Sequence, residues 1–289
     1  MIPPFDYKIP KTLQEACDLL WDPHGRAKVI AGGTDLVIAL RNGDSKPEGL
    51  IDITHIPELR RIDEKDGVIT IGAAVTHSEI ASSPLIKKYG KVLSDAASMI
   101  GSAQIRNLGT IGGNIVNASP AADTIPPLMV LDAVGKVVSK DGEKEVPLHQ
   151  LFKGPYQTNL GPDELLVQVI FEKLPSSARM SFIRLARREA MAIARMNVAV
   201  VLQMEKEKVR IGDIRISVGS VTPTPQRMSD AEAILKGESL NEELLKMASK
   251  KVSQAMIQRS EVRPSTPYKK PVIEALFMRA MKNSLEEEE

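Results

Sequence analysis

Two segments with paired glycines constrain the fold of this chain more than any other feature. The first, AGGTDL, occupies residues 31–36 directly after the short apolar run AKVI, and the second, TIGGN, occupies residues 110–114. Glycines after a strand permit positive φ and let a bound group approach the backbone. Successive exposed N–H groups form a nest that binds anions, and the run LVIAL predicts a helix whose N-terminus strengthens the first site. The alternative for the first segment is a tight turn without a ligand.

Neither segment matches a nucleotide fingerprint. G-x-G-x-x-G is absent from both, and no Gly-Lys-Ser/Thr follows, which disfavours a Rossmann or P-loop site. Two such loops with the side chains of Thr34, Thr110 and Asn114 nearby suit a diphosphate held from two sides. Asp123, a few residues further on, either caps a helix or binds a sugar hydroxyl, and its spacing does not decide between the two.

Composition excludes several classes of protein. Apolar residues make up 43% and charged residues 26%, which is typical of globular domains and excludes disorder for most of the chain. A net charge of +1 and 3% aromatic residues disfavour nucleic-acid binding. The single cysteine, Cys17, is expected in the core and cannot hold an iron–sulfur cluster, and the histidines lack metal-ligand spacing. We expect no metal site in this chain.

The N-terminal sequence and the hydropathy of the chain predict where in the cell the protein is located. The start, MIPPFDYKIP, has no basic region followed by an apolar one, and no run approaches the roughly 20 apolar residues of a membrane span. We therefore expect a cytoplasmic chain without a membrane span, in which the glutamates at 286–289 form a solvated tail.

Hydrophobic periodicity predicts an α+β chain. The first helix is expected over 11–21, with Thr12 and Glu15 forming a capping box. Residues 91–104 predict one helix, residues 108–127 a partly buried loop, and Asp141-Gly142 the turn of a hairpin. Strands are expected at 27–33, 50–53, 68–75, 181–187, 196–205 and 211–220, and further helices at 230–236, 241–257 and 270–284.

Several stretches resemble one family throughout the chain. Besides AGGTDL, they are FDYKIPKTLQEA (5–16), LIDI (50–53), VITIGAAVTHSEI (68–80), QIRNLGTIGGNIVNASPAAD (104–123), GPDELL (161–166), VGSVTPTPQRMSDAEAIL (218–235) and VRPSTPYKKPVIEALFMRAM (262–281). In this order they resemble the FAD-binding medium subunit of the molybdenum hydroxylases, the family of xanthine dehydrogenase and carbon monoxide dehydrogenase.

The resemblance implies a fold and its division. It implies an FAD-binding domain of the vanillyl-alcohol-oxidase (PCMH) type at residues 1–175, with two lobes at about 1–55 and 56–175. A C-terminal α+β domain of the CO dehydrogenase flavoprotein type, a small antiparallel sheet with helices, is expected at 176–289.

The family resemblance also implies which residues bind FAD. The cofactor is expected to be bound non-covalently, because no histidine stands in a motif that would attach the flavin. Both glycine loops are expected to hold the pyrophosphate, Asp123 to contact the cofactor, and apolar residues to flank the first loop and the flavin. The expected cofactor-binding residues are Val29, Ile30, Ala31, Gly32, Gly33, Thr34, Asp35, Leu36, Ile100, Thr110, Ile111, Gly112, Gly113, Asn114, Asp123 and Leu166.

The implied function is electron transfer, for which no catalytic residue is expected. Electrons would pass from 2Fe-2S clusters on a small partner subunit through FAD to NAD or another acceptor. A large partner subunit would hold the molybdopterin. The alternatives are a stand-alone small-molecule flavin oxidoreductase and a non-redox module of the same fold.

The sequence does not assign a role to two segments that contain basic residues. The arginines between Arg179 and Arg195 either meet a partner subunit or form a solvated strand face. Arg263, Ser265 and Tyr268 match the family, and their role is open between function and structure. The arginines of the first segment are Arg179, Arg184, Arg187, Arg188 and Arg195.

Overall fold

The first part of the molecule is a small parallel sheet. A computed structural model describes residues 4–21, 26–205 and 210–286, and its helices and sheets confirm the α+β class. The sheet places β3 (Gly49–Asp52) between β1 (Asp6–Lys8) and β2 (Ala27–Ile30). Helix α1 (Leu13–Leu20) joins β1 to β2, and α2 (Leu36–Asn42) joins β2 to β3, as parallel pairing requires.

The predicted capping box of α1 forms only in part. The hydroxyl of Thr12 accepts a hydrogen bond from the Glu15 N–H at 3.1 Å, as expected. The Glu15 carboxylate, however, accepts from the N–H of Lys11 at 2.7 Å, one residue before the cap. Cys17 is buried at 2% exposure, which confirms its expected place in the core.

An antiparallel sheet of five strands forms the second part. Its strands are β4 (Ile62–Lys65), β5 (Val68–Gly72), β6 (Val134–Ser139), β7 (Gly142–Pro147) and β10 (Leu165–Glu172), in the order β4-β5-β10-β6-β7. The hairpin predicted at Asp141-Gly142 is confirmed by the pairing of Ser139 with Gly142. A separate short pair, β8 (Phe152–Gly154) and β9 (Gln157–Thr158), lies in the connection to β10.

Six short helices lie between β5 and β6. They are α3 (His77–Ser82), α4 (Pro84–Tyr89), α5 (Lys91–Ser98), α6 (Ala103–Leu108), α7 (Ile111–Asn117) and α8 (Ile125–Val130). The single helix predicted over 91–104 was wrong, because the chain breaks after α5 and Gly101 adopts a φ of 46°. The loop predicted over 108–127 was also wrong, since it contains α7 and the start of α8.

The third part confirms the prediction of strands first and helices last. Strands β11 (Arg179–Leu185), β12 (Met196–Met204), β13 (Ile211–Gly219) and β14 (Gln226–Arg227) form an antiparallel sheet in chain order. Helices α9 (Ser229–Leu235), α10 (Glu242–Ser260) and α11 (Thr266–Glu286) follow.

The hydrophobic cores cross the expected domain boundary. Phe182 of β11 and Ala199 of β12 belong to the same buried cluster as Ile69 of β5 and Leu128 of α8. The opposite face of that sheet packs its own core with α10 and α11. The division of the chain at residue 175 therefore stays a prediction, because side chains from both sides of it share one core. Among the described residues, no helix is both long and apolar enough to cross a bilayer.

Candidate functional site

The first glycine loop leaves its backbone N–H groups free. It connects the end of β2 at Ile30 to α2, and the helix predicted for LVIAL is confirmed. Gly33 adopts a φ of +69°, and a Cβ there would lie 3.2 Å from Val37 Cγ2 and 3.3 Å from Ile30 Cδ1. The N–H groups of residues 32–35 have no acceptor within the ranges that the structure describes. Four adjacent free donors in a turn of this kind provide an anion-binding nest.

The second glycine segment is built differently, because it forms the first turn of α7. Thr110 caps this helix through its hydroxyl, which accepts from the Gly113 N–H at 3.1 Å. The N–H groups of Ile111 and Gly112 donate to carbonyls of Val75 and Ala73, and that of Asn114 donates to Thr110. The backbone donors of this segment are thus already paired, unlike those of the first loop.

The two glycines of α7 face opposite surroundings. A Cβ on Gly112 would lie 2.7 Å from the Ala73 carbonyl oxygen and 2.6 Å from the Ala73 Cβ, so glycine is required for packing. Gly113 is exposed, and a Cβ there would meet only the Thr110 hydroxyl, at 3.0 Å. Neither glycine has a positive φ. Gly113 is therefore the position of this segment that is open to a ligand.

The structure brings the two loops together. A Cβ on Gly32 would lie 1.8 Å from the carbonyl oxygen of Leu108, the residue that ends α6. A Cβ on Gly109 would lie 3.5 Å from the Thr34 hydroxyl and 3.2 Å from the imidazole Cδ2 of His77. The backbone of the first loop therefore contacts residues 108–109, which directly precede the second glycine segment.

His77 lies beneath this junction, and the sequence reasoning missed it. Its N–H donates to the Gly109 carbonyl at 3.0 Å, and its imidazole is 3% exposed. The buried Nδ1 has no partner in the described part of the chain. Burial, and to a smaller extent the charge of Arg106, lowers the pKa of His77 to about 4, so the ring is neutral near pH 7. Its place in the sequence gives one signal, because it directly follows Thr76, which caps α3 in the structure.

Asp123 is held by two residues of the C-terminal sheet. Its carboxylate accepts from the Asn197 amide at 2.8 Å and from the Arg184 guanidinium at 3.1 Å. Burial raises the pKa of Asp123, while Asn197 and Arg184 act in the opposite direction. The reading of Asp123 as a helix cap was wrong: Thr124 precedes α8, and its side chain makes no cap hydrogen bond.

Arg184 does not fit the alternative of a solvated basic face, whereas Arg187, Arg188 and Arg195 are exposed. The Arg184 side chain is only 4% exposed and donates to the carbonyls of Met99 and Glu189 as well as to Asp123. Arg188 bonds to carbonyls of its own loop, and Arg195 stacks 5.9 Å from the ring of Tyr268. Arg184, Arg188 and Arg195 thus contact other parts of this chain, which the sequence did not predict.

The apolar residues expected around the cofactor divide into two groups. Val29, Ile30 and Leu36 are half-buried on either side of the first loop, and Ile100 is half-buried ahead of α6. Leu166, by contrast, is 2% exposed within the core of the second part and offers almost no surface to a ligand. Exposed apolar side chains that were not expected stand beside the loops, at Ile38 and Leu108.

The donors and surfaces fit FAD. Free N–H groups at the first loop suit a pyrophosphate, and apolar surface beside it suits the rings of a dinucleotide. No cluster of three or more potential metal-ligating side chains occurs in the described ranges.

Comparison with known proteins also indicates an FAD-binding chain. Residues 3–174 match the family described as the FAD binding domain in molybdopterin dehydrogenase, and residues 181–284 match the CO dehydrogenase flavoprotein C-terminal domain. The nicotine 6-hydroxylase medium subunit of Paenarthrobacter nicotinovorans is 31% identical, with 97% of each chain covered. The nicotinate dehydrogenase FAD-subunit of Eubacterium barkeri is 32% identical over 98% of this chain and 97% of its own length.

A solved structure has the same fold over its full length. Carbon monoxide dehydrogenase from Hydrogenophaga pseudoflava, in a form lacking the Mo-pyranopterin moiety of the molybdenum cofactor, superposes with a TM-score of 0.92 at 30% identity. The match covers 99% of each chain.

Proposed function

We propose that this chain, which belongs to the family of FAD-binding medium subunits of the molybdenum hydroxylases, passes electrons from iron–sulfur clusters of a partner subunit through FAD to an acceptor. Membership makes it an oxidoreductase component with FAD as its cofactor. The observation that supports the proposed site best is the row of free N–H groups at residues 32–35, which lies against the entrance of the second glycine segment.

The residues of the two loops have different proposed roles. The N–H groups from Gly32 to Asp35 would donate to the pyrophosphate, where they supply positive potential without a charged side chain. Gly113 would give the cofactor close access to α7 because no side chain stands there. Asn114 is already tied through its side chain, which accepts from the Thr124 hydroxyl at 2.6 Å, so its contribution would be to hold the segment in place.

Asp123 would orient the cofactor from a fixed position. Its carboxylate is held by Arg184 and Asn197, so its rotamer is set before any ligand arrives. Val29, Ile30, Leu36 and Ile100 would supply apolar contacts and exclude water, whereas Leu166 would act through the core alone. When bound, FAD would supply both one-electron and two-electron redox chemistry, and the protein contributes binding and orientation.

The proposed partners are an iron–sulfur small subunit and a molybdopterin large subunit, with NAD or another acceptor receiving the electrons. The matched relatives are named as a medium subunit and an FAD-subunit, which supports assembly with other chains. With one cysteine, this chain cannot supply the about four thiolates of an iron–sulfur cluster.

Reconstitution tests this proposal. The purified chain should hold one FAD, and acid precipitation should release it into solution because the bond is non-covalent. Substrate-dependent dye reduction should be absent with this chain alone, and transfer to the physiological acceptor should appear only when both partner subunits are added.

The other outcomes separate the alternatives. Turnover by the single chain would favour a stand-alone flavin oxidoreductase, and a colourless chain that binds no added FAD would favour a non-redox module. Equal transfer to the acceptor without this chain would remove its electron-transfer role.

A further inference from the structure

A basic surface cleft lies mainly in the C-terminal part, and no residue of the two glycine loops lines it. It has a volume of about 110 Å³ and lies between residues 220–223, which follow β13, and the segment 260–269 that leads into α11. Pro120 and Pro155 of the second part also line it. The cleft is therefore formed by four separate stretches of chain.

Cations line this cleft without counter-ions. Arg263 and Lys269 are both lining residues, and neither has a carboxylate within 4 Å among the residues that the structure describes. Burial, and to a smaller extent the charges of Arg263 and Arg195, lowers the pKa of Lys269. Two cations that line one cleft repel each other, and a bound anion would relieve this repulsion.

The side chains of these cations are held in position by the protein. Lys269 donates to the carbonyl of Ser220 at 2.9 Å, and Arg263 donates through Nε to the carbonyl of Ser260 at 2.9 Å. Each bond uses only some of the donors, since an ammonium has three N–H groups and a guanidinium five. The remaining donors are available to a ligand.

Hydroxyl groups complete the lining. The Ser265 side chain makes no hydrogen bond within the described ranges. Ser220 adopts a φ of 64°, and its buried hydroxyl has no partner in the same part of the chain. Fixed cations with free hydroxyls beside them are the donor set that binds phosphate groups.

We propose that this cleft, formed by Arg263, Lys269 and Ser265, is a binding site for a phosphate group. The site is independent of the proposed FAD function, because none of the glycine-loop residues lines it. Its volume accepts the phosphate alone or the terminal phosphate of a larger ligand whose remainder lies outside the cleft.

Calorimetric titration of the FAD-loaded chain with inorganic phosphate tests the site. We expect saturable binding that weakens at least tenfold in Lys269→Gln and in Arg263→Gln. Lys270→Gln removes the same charge from the next residue of α11, which is exposed and does not line the cleft, and should change the affinity less than twofold. Arg263 is exposed, so its variant keeps the test valid if loss of the Lys269–Ser220 bond disturbs folding.

A second titration with AMP distinguishes the source of the phosphate. Tighter binding of AMP than of phosphate, with the same dependence on Arg263 and Lys269, would identify a nucleotide-like ligand. Equal or weaker binding of AMP would identify free phosphate. The proposal is overturned if neither probe binds saturably, or if Lys270→Gln weakens binding as much as Lys269→Gln does.

Discussion

The Cα of Gly32 lies so close to the carbonyl of Leu108 that a Cβ at position 32 would be 1.8 Å from the oxygen. This contact joins the first glycine loop to the end of α6 and so sets the distance between the two proposed pyrophosphate-binding segments. Glycine is needed at position 32 because of the neighbouring backbone, since its φ is not positive.

Gly32→Ala should therefore separate the two loops. The methyl group meets backbone atoms that have no flexible end, so either the first loop or the end of α6 must move. We expect at least a tenfold loss of FAD affinity and a lower Tm of the FAD-free chain, measured by flavin fluorescence titration and thermal unfolding.

Gly154→Ala is the matched control for this variant. A Cβ there meets only the far end of Gln157, at 3.8 Å, and its φ is not positive. FAD affinity close to that of the original chain in Gly32→Ala would contradict the role of this contact.

Gly113→Val separates binding from folding. Its side chain would occupy the open side of α7, where, apart from the backbone of α7 itself, a Cβ meets among the described residues the Thr110 hydroxyl that caps the helix. Loss of a cap costs about 1 kcal/mol, so the FAD-free chain should remain folded while FAD binding is lost. Backbone strain plays no part here, since φ is not positive.

Gly112→Ala should have the reverse effect. Its methyl group is directed at Ala73, and overpacking of this kind costs about 1–3 kcal/mol. Urea unfolding of both FAD-free variants checks the difference. An unchanged FAD affinity in Gly113→Val would remove position 113 from the site.

The sequence predicts local structure at this site better than contacts between distant segments. The turn at Gly32 and the helix behind it follow from the spacing of glycines and apolar residues. The pairing of Asp123 with Arg184 joins residues 61 positions apart, and no local pattern specifies it. Nor does the sequence show that Thr110 uses the Gly113 N–H, because a Gly-Gly pair does not distinguish a free nest from a capped helix.

The buried ion pair of Asp123 and Arg184 connects the segment between α7 and α8 to strand β11 of the C-terminal sheet. We expect this pair to contribute to the stability of the fold. Removing one partner of a buried ion pair leaves the other charge uncompensated and costs about 3–5 kcal/mol. We therefore expect Asp123→Asn and Arg184→Met each to destabilise the FAD-free chain strongly. The double variant should lose less than the sum, because no unpaired charge remains.

Urea unfolding of the four proteins gives the coupling energy of this double-mutant cycle. The exposed pair Lys246–Glu242 on α10 serves as the control and should show far weaker coupling. Additive effects for Asp123 and Arg184 would show that the pair does not act as a unit.

His77 should make stability depend on pH. In the folded chain its pKa is lowered to about 4 from 6.5, so between these values the unfolded chain binds a proton that the folded chain does not. The free energy of unfolding therefore has its full value above about pH 6.5 and falls as the pH decreases towards 4. At about 1.4 kcal/mol per pH unit, His77 accounts for a loss of roughly 2 kcal/mol between pH 6.5 and 5.

Replacing His77 by glutamine should remove this part of the pH dependence. The comparison is urea unfolding of the FAD-free chain at pH 7.5 and 5.0, in which His77→Gln should lose about 2 kcal/mol less than the original chain. Other groups titrate equally in both proteins, so their difference reports His77. His149→Gln, at an exposed position, should follow the original chain. If His77→Gln loses as much stability on acidification as the original chain does, the imidazole is not held neutral beneath Gly109, and its burial at the loop junction has no energetic consequence for folding.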